Sequence, residues 1–309
     1  MSLVIVGAGM AGLLAANMLK HHNPVVVETQ SALPNNHHAV LRFSSPLVGE
    51  KLGIPFRKVT LVKHAIEWRN QVADILAYAE KATGCLTTER SVSRRNVEVA
   101  ERWIAPPDLI NQMAERVDLH CGRVWDFSRT DAGKVLSTIP MPTLMRELNY
   151  PKKIDFRYRH GWVLTAEIAG DCDAFATLLV PNPHVTFYRA SITGRQLIVE
   201  SIDEPMEGTA DVAAYMFCAK VVPGSVIKRR QQYAKILPID DKERREFIYW
   251  ASSKMSKAYS LGRYATWRPT LQTDDLVKDV RLIDGWIREG GGAHYDMELH
   301  EAEKRHVVN

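Results

Sequence analysis

Three glycines and one acid near the amino end carry the most chemistry in this sequence. Gly7, Gly9 and Gly12 follow the spacing G-x-G-x-x-G, filled in by Ala8, Met10 and Ala11, and Glu28 stands sixteen positions after Gly12. Gly7 permits a tight turn, Gly9 offers bare backbone to a pyrophosphate, and Gly12 permits close packing of helix on strand. A carboxylate at Glu28 can accept hydrogen bonds from a ribose diol, and it would repel the 2′-phosphate of NADP. The spacing alone is a weak signal, so the flanking elements decide. Leu3-Val4-Ile5-Val6 is a short apolar, β-branched run that reads as a buried strand. Leu13 to Lys20 reads as a helix, and Val25-Val26-Val27 as a second strand ending at Glu28. Strand, glycine turn, helix and acid-tipped strand form a dinucleotide-binding unit, with the helix N-terminus presenting N–H groups to the phosphates. Glutamate as the acid, and glycine at the third glycine position, favour FAD over NAD.

Composition narrows the setting. The 309 residues are 46% hydrophobic, enough for a sizeable core, and the net charge is only +4. Cys85, Cys121, Cys172 and Cys218 are scattered, with no C-x-x-C pair, so neither a zinc site nor a disulfide frame is expected and no metal is predicted. The first strand begins at residue 3, leaving no room for a signal peptide. No run approaches the roughly 20 apolar residues of a membrane span. These features predict a soluble, cytoplasmic protein without a membrane partner; oligomeric state is left open.

Beyond the first unit the pattern alternates. Leu47 to Val62 reads as strand and turn, His64 to Ala82 as a helix stopped by Gly84, and 88–102 as charged and irregular. Pro106-Pro107-Asp108 opens a helix through Arg116. Strands are expected over Val117–Val124 and Lys134–Ile139, with a helix over 143–148. From 153 to 202 the pattern is strand-rich, with Thr193-Gly194-Arg195 read as a hairpin turn. Residues 208–221 and 241–258 read as helices, and a last helix runs from Asp274 to Glu289 with Thr273 or Asp274 as its cap. The predicted class is α/β: a Rossmann-like FAD-binding domain interleaved with a smaller antiparallel-sheet substrate domain. The first comprises 1–35, 105–150 and 255–292, the second 36–104 and 151–254, and 293–309 is a polar tail.

Three segments resemble the flavoprotein superfamily that includes amine oxidases, protoporphyrinogen oxidase and UDP-galactopyranose mutase. They are Val4 to Glu28, Ser137-Thr138-Ile139-Pro140-Met141-Pro142, and Leu261-Gly262-Arg263-Tyr264-Ala265-Thr266-Trp267 followed by Asp274-Asp275-Leu276-Val277. The resemblance implies that the late segment contacts the pyrophosphate and ribityl chain, and that the last helix begins at the flavin pyrimidine ring. A helix start there would stabilise negative charge on the reduced ring, and Arg263 would meet phosphate or flavin charge with a planar fork. The cofactor-binding set is then Gly7, Gly9, Met10, Ala11, Gly12, Glu28, Val124, Thr138, Gly262, Arg263, Trp267, Asp275 and Leu276. One departure stands out: where the family carries Arg-x-Gly-Gly, this chain has Asn36-His37-His38-Ala39-Val40-Leu41-Arg42.

For the reaction, the resemblance implies hydride transfer from a carbon beside nitrogen to flavin N5, then hydrolysis of the imine. His37, His38 and Arg42 are the candidates for positioning and proton transfer, and Tyr188 and Arg189, with Trp162, would form the substrate side. The compact build and the histidine loop also resemble small bacteriophage flavoproteins that act as lyases on amino-acid-modified thymine in DNA. Two alternatives stay open: non-redox, mutase-like catalysis on a nucleotide sugar, and a flavin-binding protein without turnover. Basic residues cluster at Arg90, Arg94 and Arg95, at Lys228-Arg229-Arg230 and at Arg244-Arg245. The plainer reading is a solvated face; the sharper is a phosphate rim for a nucleotide sugar or nucleic acid. The expected substrate is a small molecule or a modified base.

Overall fold

The structure is a computed structural model that describes residues 3–33, 41–86, 97–128, 133–253 and 257–290. His37, His38, the Arg90–Arg95 cluster and the polar tail lie outside the described residues. The first half of the chain runs β1 (Leu3–Val6), α1 (Met10–Met18), β2 (Val25–Glu28), β3 (Arg42–Phe43), α2 (Leu47–Leu52), β4 (Arg57–Ala65), α3 (Gln71–Thr83), β5 (Glu98–Ile104), α4 (Leu109–Ala114), β6 (Asp118–Cys121), β7 (Lys134–Ser137) and α5 (Met141–Glu147). The second half runs β8 (Tyr158–Leu179), β9 (Phe187–Ser201), α6 (Thr209–Tyr215), β10 (Lys220–Val221), β11 (Ile227–Ile236), α7 (Asp241–Ser253), β12 (Ala258–Ser260) and α8 (Asp275–Glu289).

Five parallel strands form the first sheet, in the order β12-β7-β1-β2-β6. β1 sits in its centre, with Val6 beside Val27 on one side and Ser137 on the other. All four β1 residues are buried, as expected for a parallel strand covered on both faces. α1 packs on α4 and α8, and its Leu13, Leu14, Ala15 and Ala16 are wholly buried, so it reads apolar almost all round. The same core takes in Phe43, Val48 and Leu52 from β3 and α2, and Phe247, Ile248 and Ala251 from α7.

The second sheet is mixed and strongly bent. β8 pairs antiparallel with β11 along its first part, from Tyr158 to Thr165. Its last part pairs in parallel with β4, from Leu61 beside Phe175 to Ala65 beside Leu179. β9 follows β8 antiparallel along both parts, with breaks in register between Glu167 and Ala176. The bend brings the two ends of β9 together, so that Arg189 and Glu200 of one strand form an ion pair. β5 joins β4 and carries β3 at its far edge. No helix among the described residues is long and apolar enough to cross a membrane.

Several expectations change here. Residues 47–52 form a helix, and His64 belongs to β4 rather than to the following helix. β4 alternates buried Val59 and Leu61 with exposed Lys58 and Thr60, and its partners β5 and β8 fix it as strand. α3 cannot begin before Gln71: the Asn70 side chain accepts from Ala73 N at 2.9 Å, and Asp74 accepts from Trp68 N at 3.0 Å and Arg69 N at 2.9 Å. The charged stretch before Ile104 is strand β5 from Glu98 onward. Thr193-Gly194-Arg195 is a bend inside β9, and the β8–β9 connection lies at 180–186. The helix expected over 208–221 stops at Tyr215, and 227–236 is a strand.

Candidate functional site

The glycine turn sits at the carboxyl end of the parallel sheet. Gly7 has a φ of +103°, and a Cβ there would lie 2.3 Å from Thr138 Oγ1. The turn is fixed from both neighbouring strands: Gly7 N donates to Val27 O at 2.8 Å, while Thr138 donates to Val6 O through its backbone N at 2.9 Å and its hydroxyl at 3.0 Å. A Cβ on Gly12 would lie 1.9 Å from Gly7 O, so helix and turn touch backbone to backbone. A Cβ on Gly9, by contrast, would meet nothing within 4 Å. Gly9 is also the N-cap of α1, with no side-chain cap. Two glycines thus serve packing and the third leaves open space over an uncapped helix end, which suits a phosphate anion. Met10 is buried beneath it and Ala11 half-buried.

Glu28 closes the other side. Its carboxylate, 8% exposed, accepts from Ala8 N at 2.9 Å on Oε2, and from Gln30 N at 3.0 Å and Thr29 Oγ1 at 3.2 Å on Oε1. A carboxylate accepts about four hydrogen bonds, so Oε2 keeps capacity for a hydroxyl. Arg123 N donates to Glu28 O at 2.9 Å, which places Val124, 83% exposed, beside this end of β2. These residues fit the adenosine half of a dinucleotide.

The late segment comes up beside the start of α1. β12 pairs with β7, Ser260 beside Ser137, and Leu261 N extends the ladder to Ser137 O at 2.9 Å. Gly262 follows with a φ of +104°, and a Cβ on it would lie 3.1 Å from the Cβ of Ala11. Arg263 is half-buried at that point, its guanidinium 5.9 Å from the Tyr264 ring centre. The loop is braced from below. Thr266 Oγ1 donates to Gly262 O at 2.8 Å, Arg268 Nε donates to Thr266 Oγ1 at 2.9 Å, and the Arg268 guanidinium pairs with Asp279 of α8. Trp267, expected at the cofactor, is instead 1% exposed. Its Nε1 donates to Leu237 O at 2.9 Å and its ring packs against Phe156, Tyr158 and Tyr233. It shapes the loop and presents no surface to a ligand.

Helix α8 starts next to this loop. Asp274 does not cap its own helix. It reaches across to the chain after β3, accepting from Ser44 N at 2.9 Å, Ser45 N at 3.1 Å and Ser45 Oγ at 3.0 Å. Asp275 accepts from Gln272 N at 2.9 Å, and Leu276 is buried. Sequence reasoning missed the Ser44–Ser45–Asp274 link, because no local pattern pairs residues so far apart. Arg42, just before it, stacks its guanidinium over the Phe175 ring at 4.7 Å, joining β3 to β8.

Tyr188 and Arg189, expected to face substrate, join a half-buried charge cluster, with Tyr188 buried and the Arg189 side chain 36% exposed. Tyr188 OH donates to Glu200 Oε2 at 2.8 Å, Arg189 Nε donates to Glu200 Oε1 at 2.7 Å, and Lys235 Nζ lies 3.7 Å from Oε2. Burial and the neighbouring Glu200 charge raise the Tyr188 hydroxyl well above its ordinary value. Burial would raise the Glu200 carboxyl, but the Arg189 and Lys235 charges bring it down to about 2. Arg189 is thus engaged by Glu200 within its own strand. Trp162 pairs with Ser201 and Arg230 within the second sheet. Of the basic clusters, Arg244 and Arg245 both pair with Asp241 at the start of α7, and 228–230 lies on β11.

No family model matches the chain, and no curated protein matches it. Solved structures do match in fold. Reduced UDP-galactopyranose mutase superposes with a TM-score of 0.64 at 13% identity, covering 92% of this chain and 94% of that one. PqsL of Pseudomonas aeruginosa, a probable FAD-dependent monooxygenase, gives 0.54 at 14% identity, over 94% and 87%. A geranylgeranyl bacteriochlorophyll reductase-like protein of Thermoplasma acidophilum gives 0.56 at 9% identity, over 99% and 83%. At these identities the likeness concerns the fold: a parallel sheet with a second, mixed sheet.

Proposed function

We propose that this chain is an FAD-dependent enzyme. The observation that carries the reading is the close approach of Gly262 to Ala11 in the first turn of α1, which brings the Arg263 loop beside the turn whose Gly9 faces open space. Glu28 would hold the adenosine ribose, Gly9 and the α1 amino end the pyrophosphate, and Arg263 the phosphate or flavin charge. Leu276 and the first turn of α8 would lie towards the flavin. FAD supplies, when bound, a hydride acceptor at flavin N5. The fold shared with a probable FAD-dependent monooxygenase supports the same cofactor.

Within this reading, the reaction we assign is oxidation of a carbon bearing nitrogen, after which water cleaves the imine. The chain replaces the family's paired glycines with His37 and His38, which bring groups that titrate near neutrality. Arg42 is held against Phe175 two residues before the link to α8, and in this reading it would orient an anionic substrate. An amino-acid-modified thymine base in DNA is the substrate we rank first. The test is the absorption spectrum of the purified protein with FAD, under anaerobic conditions. Bleaching by glycyl-modified thymine DNA or by free amines, reversed by oxygen, is the expected result. A protein that takes up no FAD overturns the cofactor assignment; bound FAD that no amine bleaches overturns the reaction.

A second reading has its own support, because the likeness to UDP-galactopyranose mutase spans nearly all of both chains. It requires turnover of a nucleotide sugar only after prior reduction of the flavin, with no net redox change. Activity without a reductant rejects it.

A further inference from the structure

A second group of ligating atoms lies apart from the cradle. The short 3-10 turn Lys20–His22 follows α1 and places two neighbouring histidines against α8. Nε2 of His21 is 2.9 Å, and Nε2 of His22 2.7 Å, from the same Oδ1 of Asp284. Successive side chains of an extended chain point to opposite sides. Here the tight turn sets the two rings 4.2 Å apart at 42°, so both edges converge on one point. All three ligand atoms lie within 4.8 Å of one another. The other carboxylate oxygen, Oδ2, accepts from the Arg288 guanidinium at 2.8 Å.

We propose that His21, His22 and Asp284 bind a zinc ion that clips the turn after α1 to helix α8. Two imidazole nitrogens and one carboxylate oxygen are a zinc donor set with a fourth position left for water. At zinc–ligand bonds of about 2.0–2.2 Å, tetrahedral ligands stand roughly 3.3 Å apart. The two nitrogen–oxygen spacings, 2.9 and 2.7 Å, are shorter than that value, so the rings would turn outward slightly to seat the ion. Arg288 holds Oδ2 and leaves Oδ1 to the metal, the role of an outer-shell partner. His22 and Asp284 are largely enclosed and His21 is half-exposed, which gives the ion a route in. The histidines and the aspartate are far apart in sequence, and no cysteine takes part, so cysteine spacing could not reveal the site.

The test is calorimetric titration of Zn²⁺ into the full chain after chelator treatment, at fixed flavin content. One ion per chain and a higher melting temperature are expected, since zinc would bind the folded chain and not the unfolded one. His21→Gln, His22→Gln and Asp284→Asn should each weaken binding at least about tenfold. Co²⁺ offers a second readout: a visible ligand-field band in the parent protein, displaced by Zn²⁺ and lost in His21→Gln, whose fold is checked by circular dichroism. Absence of Zn²⁺ binding by the parent protein, or undiminished binding in all three variants, overturns the proposal. Neither readout depends on the flavin, so failure here leaves the cofactor assignment standing.

Discussion

Arg268 and Asp279 form an ion pair that is almost wholly out of water, their side chains 2% and 1% exposed. The pair bolts the loop after β12 onto α8, and through Thr266 it reaches the carbonyl of Gly262. Removing one partner of such a pair leaves an uncompensated buried charge, at a cost of about 3–5 kcal/mol. Asp279→Ala should therefore lower the unfolding free energy by that amount in urea titrations and loosen flavin binding with it. A double replacement, Arg268→Met with Asp279→Leu, should recover most of the stability. Equal losses in the single and double variants would refute this account of the loop.

The three glycines of the turn should fail in different ways. Gly9→Ala adds a methyl group to open space, so it should fold with a loss of about 1 kcal/mol or less. Its FAD dissociation constant should rise at least about tenfold, an effect near 1.4 kcal/mol. Gly12→Ala drives a Cβ into Gly7 O, and thermal melting should show a loss of about 1–3 kcal/mol or more even without FAD. If Gly9→Ala keeps full affinity, the pyrophosphate does not sit there.

Asp274 serves three donors, all from Ser44 and Ser45. Asp274→Ala should cost about 1–3 kcal/mol, because two backbone N–H groups lose a charged acceptor. The variant should also bind FAD more weakly, as the chain after β3 comes free of α8. Unchanged melting and unchanged flavin titration would show the contact to be incidental.

The Glu200 cluster predicts an acid limit. Its carboxyl titrates at about 2 in the fold against an ordinary 4.5. A group with a depressed folded value binds its proton less readily folded than unfolded. Its contribution is therefore complete above about pH 4.5 and is lost as the pH falls towards 2, amounting to up to about 3 kcal/mol. Unfolding free energies of the parent and Glu200→Gln should converge across that window. Parallel pH curves would dismiss the ion pair as a source of stability.

Local chemistry made some of this fold readable and concealed the rest. Leu3 to Glu28 could be read directly, because a buried parallel strand, a glycine turn and an apolar helix each impose a distinct residue pattern. The likeness of the Gly262-Arg263 segment to a known family pointed to the same region. His64 misled because helical and strand periods overlap in a short amphipathic stretch, and only pairing with β5 and β8 decided it. β11 went unrecognised because its basic residues mask the alternation. Tyr188 and Arg189 looked available because nothing in the order of residues shows that β9 folds back to set Glu200 against them. The same holds for Asp274 and Ser45, and for His22 and Asp284, which meet only through the packing of α1 and α8.

The order of strands in the parallel sheet has a further effect on biogenesis. β1 lies at the centre, but its neighbour β7 gains its outer partner only from β12, which is made long after it. During synthesis, domains form as their segments emerge, at about 5–20 residues per second. A nascent chain halted before Ala258 holds Gly7, Gly9, Gly12 and Glu28 but lacks the edge strand beside β7 and the glycine that approaches Ala11. On the proposed reading, flavin capture would wait for β12 and Gly262, and ribosome-bound chains that stop before Ala258 should leave FAD in solution.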